Sequence, residues 1–102
     1  MVRVHRMTIY VMFGNLKSDA FKKLDSIEER DKKAAKLLES LGGKFIALYY
    51  LLGRYDFVVL FDMPSKENLV KFLAIVGKHG TVRTETIETI PADMLYKISK
   101  EI

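Results

Sequence analysis

Groups that could do chemistry concentrate in two short stretches. Gly53-Arg54-Tyr55-Asp56 sets a guanidinium, a phenol and a carboxylate on consecutive residues, and Arg83-Thr84-Glu85 sets a second guanidinium two positions from a carboxylate. Arg54 can clamp an anionic group bidentately, or simply be solvated at a turn. Tyr55 can orient a ligand through its hydroxyl, although a tyrosine beside a hairpin commonly packs its ring and leaves the oxygen wet. Asp56 can present a carboxylate at a pocket mouth, and its plainer role is to accept hydrogen bonds from turn backbone. Arg83 and Glu85 share one face of an extended segment, with Thr84 and Thr86 on the other. There they can line a pocket between subunits or act as edge charges that block strand-to-strand aggregation.

Other reactive arrangements are missing from the sequence. With no cysteine, thiol nucleophiles, disulfides and Cys-ligated zinc are excluded. His5 and His79 each lack a second histidine or a carboxylate at ligand spacing, so no metal site is expected. There is no Ser-His-Asp order and no Gly-rich phosphate loop, so no cofactor is expected and no catalytic residue is assigned. Gly77–Gly80 reads as a loop between a helix and a strand.

These groups must be held by a small number of elements. Met7–Phe13 alternates two apolar sets and predicts a first strand that Gly14-Asn15 ends. Ser18–Leu24 reads as a short helical turn. Ser26 and Glu29 have capping-box spacing, which starts the main helix at about Ile27 and carries it to Leu41. Its apolar stripe is Ile27, Ala34, Leu37, Leu38 and Leu41, and Gly42-Gly43 stops it. Lys44–Leu52 and Tyr55–Asp62 are strands, and Gly53-Arg54 between them predicts a tight turn in which Gly53 supplies a positive φ. Pro64-Ser65 opens a second helix to about Gly77. Thr81–Ile90 is a β-branched strand, preceded by Gly80, and Pro91 starts a short terminal helix with Met94, Leu95 and Ile98 on one face. The order β-α-β-β-α-β is the split βαβ, or ferredoxin-like, arrangement: an α+β fold with a four-stranded antiparallel sheet and a C-terminal helix.

At 102 residues the chain is one domain, 1–102, and 49% apolar residues exclude a disordered chain. No segment is long and apolar enough to span a membrane, and Met1–Arg6 lacks a signal-peptide core, which points to the cytoplasm. The absence of glutamine and the 12 lysines lean toward a heat-adapted, thermostable protein. A net charge of +4 raises nucleic acid as a partner, but Lys17–Glu39 alone holds seven basic and six acidic residues, a mixed surface rather than a phosphate-tracking one.

Phe45–Leu52, Phe57–Phe61 and Met7–Phe13 carry no charge on either face. A sheet covered by helices on one side should be polar on the other. The second face of four strands spans about 350 Å² by strand geometry, near the limit a soluble monomer tolerates. A twofold homodimer with the sheets face to face is the economical solution. Tyr10, Tyr49 and Tyr50 are the aromatic candidates for that interface.

Four stretches in order, Leu41-Gly42-Gly43-Lys44, Gly53-Arg54-Tyr55-Asp56, Phe57-Val58-Val59 and Gly80-Thr81-Val82-Arg83-Thr84-Glu85-Thr86, resemble the GYD domain family over about Met7 to Ile90. The resemblance implies a dimeric α/β-barrel assembly and no established reaction. The Gly-x-Tyr-Asp hairpin is also similar to the ligand-binding module of Lrp/AsnC-type regulators, which take amino acids or similar effectors between protomers. A first strand within about ten residues of Met1 leaves no room for their helix-turn-helix domain, so direct transcriptional control is not expected. RNA-recognition domains share the topology, but the glycine required after the basic residue is absent at Arg54-Tyr55-Asp56-Phe57. The expectation is a cytoplasmic homodimer that binds a small polar or anionic metabolite or acts as a scaffold without catalysis. The alternative is a cofactor-poor oxygenase or isomerase that uses Tyr55, Asp56 and Arg83 in a cavity between helices and sheet.

Overall fold

The computed structural model describes residues 8–102; Met7, His5 and the arginines before them lie outside the described residues. The alternating apolar segment forms β1 (Thr8–Leu16), longer than the sequence pattern implies. Gly14 does not end this strand. It pairs with Phe57 and Thr84, and a Cβ on it would lie 2.1 Å from the Phe57 ring. The glycine is there so that the ring can cross the strand, not to make a turn.

After β1 come a short helix α1 (Ser18–Phe21) and a 3₁₀ turn at Leu24–Ser26. The turn runs directly into α2 (Ile27–Ser40), so the expected capping box does not form. Ser26 Oγ donates to the Lys23 carbonyl at 2.9 Å, and its backbone, at φ -103 and ψ 8, lacks the extended form a cap needs. Glu29 accordingly has no cap to reach back to. The Glu28–Lys32 pair forms on the exposed side of α2 at 3.3 Å. Gly42, at φ 83, stops the helix as expected.

The strands β2 (Lys44–Tyr50) and β3 (Phe57–Met63) are joined by the segment 51–56, not by a two-residue turn. The Leu51 N–H donates to the Asp56 carbonyl at 2.8 Å and closes this longer loop. Gly53 has no positive φ and open space around it. α3 (Lys66–His79) is capped by Ser65, whose hydroxyl accepts the Asn68 N–H at 3.1 Å. It continues through Gly77 and ends at Gly80, at φ 70, so His79 lies on the helix and not in a loop. β4 (Val82–Glu88) and α4 (Ala92–Ser99) complete the described chain.

The four strands form one antiparallel sheet in the order β2-β3-β1-β4, the ferredoxin-like topology. α2 and α3 cover one face. Phe61 is fully buried at its centre, with the Tyr10 ring 5.8 Å and the Phe72 ring 5.6 Å away between centroids. Leu38, Met63, Met12, Phe57 and Leu69 complete the buried cluster. Tyr10 was expected at a sheet-to-sheet interface, and the register corrects this: it points to the helices and is buried within its own chain.

Candidate functional site

The register assigns each site candidate to a face. Phe13, Glu85 and Arg83 project from the uncovered face, opposite the helices. Loop 51–56 folds over the end of β1, where the Tyr55 ring lies 4.9 Å from Phe13 between centroids. Tyr55 Oη donates to Glu85 Oε1 at 2.9 Å, and the Arg54 guanidinium sits over the Tyr55 ring at 5.0 Å and reaches its hydroxyl at 3.3 Å. Arg54, Tyr55 and Glu85 thus form one cluster. Arg83 is on the same face, exposed, and makes no ion pair with Glu85, whose carboxylate is taken by Tyr55.

Asp56 belongs to the backbone. Its Oδ2 accepts the Leu16 N–H at 2.8 Å, and its own N–H donates to the Gly14 carbonyl. The carboxylate fixes the end of β1, which is the plainer of its two sequence readings.

The centre of the uncovered face is apolar, with Ile9, Val11 and Phe13 on β1, Val58 and Leu60 on β3, Ala47 and Tyr49 on β2, and Ile87 on β4, while the paired Lys44 and Asp62 lie at the far end from the Tyr55–Glu85 cluster. Tyr49 is 61% exposed there. Tyr50, its neighbour, faces the helices, and its hydroxyl donates to Asp31 Oδ2 on α2 at 2.6 Å. The two tyrosines therefore serve opposite faces, and Tyr50 is not placed for a sheet-to-sheet contact. All of α4 is exposed, including Met94, Leu95 and Ile98, and it makes no substantial contact with another element.

Between the helices and the sheet lies a recess of about 500 Å³. Met12, Leu48, Phe57, Phe61 and Phe72 are among its walls, and its polar lining is Arg30, Asp31, Lys33, Tyr50, His79 and Thr81. Tyr55, Asp56 and Arg83 do not line it, so the trio proposed for an oxygenase or isomerase does not converge in that cavity. Burial, then the hydrogen bond and charge of Asp31, push the Tyr50 hydroxyl well above its ordinary pKa, with Arg30 pulling the other way. Sequence reasoning missed this recess. The signal was in the α2 stripe: between Ile27 and Ala34, positions 30 and 31 must face the same way, and both are charged.

Among the described residues no helix is long and apolar enough to cross a membrane, and no three His, Asp or Glu side chains gather where they could hold a metal ion.

Known proteins agree with this geometry at the level of fold. The Arabidopsis thaliana protein At3g17210 superposes with a TM-score of 0.58 at 17% identity over 82% of this chain and 94% of that one. MtbAldR gives a TM-score of 0.64 at 19% identity over 82% of this chain, which spans 52% of the MtbAldR chain. In sequence, the chain is 29% identical over 94 residues to the glutamine synthetase and cystathionine beta-lyase binding protein of Thermus thermophilus, covering 90% of this chain and 99% of that protein. The GYD domain family matches residues 10–98, which contain both the loop carrying Arg54-Tyr55-Asp56 and the strand carrying Glu85. The chain belongs to the GYD domain family.

Proposed function

We propose that the protein is a homodimeric binding module that docks onto metabolic enzymes and catalyses no reaction itself. The carrying observation is the extent of the alignment with the Thermus thermophilus binding protein: 99% of that relative is matched, so its binding activity resides in a domain of this kind. Glutamine synthetase and cystathionine beta-lyase are the partner classes its name supplies.

The surface supports the reading. The uncovered sheet face has an apolar centre, with the Arg54–Tyr55–Glu85 cluster and Arg83 at one margin. An apolar centre within a polar rim is the anatomy of a protein interface. We assign this face to a second copy of the chain. α4, which follows edge strand β4, brings Met94, Leu95 and Ile98 against that copy. The Cα radius of gyration, 15.8 Å, exceeds the roughly 13 Å of a compact domain this size, as an outlying helix requires. The bond from the Leu16 N–H to Asp56 Oδ2 supports a structural role for this carboxylate over the acid–base role of an enzyme reading. The cysteine-free, lysine-rich composition fits a cytoplasmic protein of a heat-adapted organism.

Biolayer interferometry against glutamine synthetase and cystathionine beta-lyase from the same genome tests the docking. Saturable binding to either enzyme at micromolar protein is expected. No binding to either enzyme, with an intact circular dichroism spectrum, contradicts the proposal.

A further inference from the structure

The recess between α2, α3 and the sheet has a different character from the uncovered face. Protein interiors leave few voids larger than one water molecule. A space of about 500 Å³ lies within the range of small-ligand sites, about 300–1,000 Å³. Its existence follows from sequence. α2 presents Ala34 and Ala35 to the recess, where larger side chains would fill it. The walls are apolar and aromatic over most of their extent, which suits an alkyl or aryl body.

One end is polar and unbalanced. Arg30 and Lys33 line it with a single carboxylate, Asp31, and that carboxylate already accepts the Tyr50 hydroxyl at 2.6 Å. Arg30 Nη1 is buried with no hydrogen-bond partner among the described residues. A guanidinium nitrogen removed from water without an acceptor is costly, and a carboxylate is the acceptor its planar fork fits best. The recess therefore combines an apolar body site with an unsatisfied cationic donor.

We propose that this recess binds an amphipathic monoanion, an apolar chain or ring bearing one carboxylate, with the carboxylate on Arg30 and the apolar body against Met12, Leu48, Phe57 and Phe72. The site goes beyond enzyme docking and lies on the opposite face of the sheet from the Tyr55–Glu85 cluster. Its ligand chemistry differs from the polar metabolite that cluster would take.

Decanoate and decanol are the probes, titrated calorimetrically into the purified full chain at neutral pH, with amide and methyl chemical shifts followed in parallel. Decanoate is expected to saturate one site per chain and to shift Met12, Leu48 and Ala34. Decanol is expected to bind at least about tenfold weaker, the scale of one charge-assisted hydrogen bond. Arg30→Met should weaken decanoate by a similar factor and leave decanol unchanged. Ala34→Phe should abolish both; if it does not fold, Ala35→Leu serves as the filling variant. Absence of saturable decanoate binding overturns the proposal. So do shifts confined to Tyr49, Val58 and Leu60, or affinity insensitive to both Arg30→Met and the filling variant.

Discussion

Asp56 Oδ2 holds the backbone N–H of Leu16 at 2.8 Å, across 40 positions of sequence. The Asp56 N–H completes the link by donating to the Gly14 carbonyl at 2.8 Å and to Asn15 Oδ1 at 3.2 Å. Loop 51–56 is thereby stitched to the end of β1, and the neighbouring Tyr55 is carried over Phe13 to Glu85.

Removing that carboxylate leaves a partly buried amide without its acceptor. Asp56→Ala is expected to lower unfolding free energy by about 1–3 kcal/mol in urea denaturation. Asp56→Asn keeps an acceptor oxygen and should recover part of the loss. Equal stability of all three proteins would show that the bond is incidental.

Gly14 and Phe57 form a second constraint. A methyl group at Gly14 would meet the Phe57 ring at 2.1 Å, so the ring or the strand must move. Gly14→Ala is expected to cost about 1–3 kcal/mol, the range for overpacking. Because the clash involves one partner, Phe57→Leu should cost less in the Gly14→Ala background than in the wild type. Additive losses in the double-mutant cycle would contradict the contact.

Tyr50 predicts an alkaline stability profile. Its folded-state pKa is raised, by burial first and by Asp31 second. Below about pH 10, the ordinary tyrosine value, folded and unfolded chains both keep the proton and this residue adds no pH dependence. Above it the unfolded chain releases the proton first, so stability falls as pH rises toward the raised folded value. Tyr50→Phe should remove that component. Urea denaturation of both proteins from pH 8 to pH 11.5 should therefore give a difference that is flat at first and narrows above pH 10. A constant difference throughout would place the hydroxyl in ordinary solvent.

The legibility of this molecule in its sequence follows the range of the forces involved. Apolar periodicity and the stop at Gly42 are local, and the βαββαβ order follows from them, whereas the second helix runs past the expected end at Gly77 to Gly80. Loop 51–56 departs from the two-residue turn that Gly53 suggests by its type alone. The loop is set by Asp56 reaching Leu16, a contact no local pattern encodes. Ser26 failed as a cap for a similar reason: the preceding 3₁₀ turn already occupies its backbone. Tyr10, Tyr49 and Tyr50 look alike in sequence, yet strand register alone separates the buried Tyr10 and the helix-facing Tyr50 from Tyr49. The recess was hidden because a void is what side chains fail to fill, and Ala34 and Ala35 read as ordinary helix formers.

In the proposed dimer two copies meet through the uncovered sheet face, and light scattering coupled to size exclusion tests this directly. At micromolar concentration the wild-type protein should elute at twice its 11.7 kDa chain mass. Tyr49→Asp places a charge on a residue that is 61% exposed in the single chain, so it should leave the fold intact. The same charge would be buried unpaired in the dimer, and the variant should elute at the mass of one chain. Leu95→Asp on α4 should weaken the dimer as well. A wild-type protein of 11.7 kDa under these conditions would contradict the account.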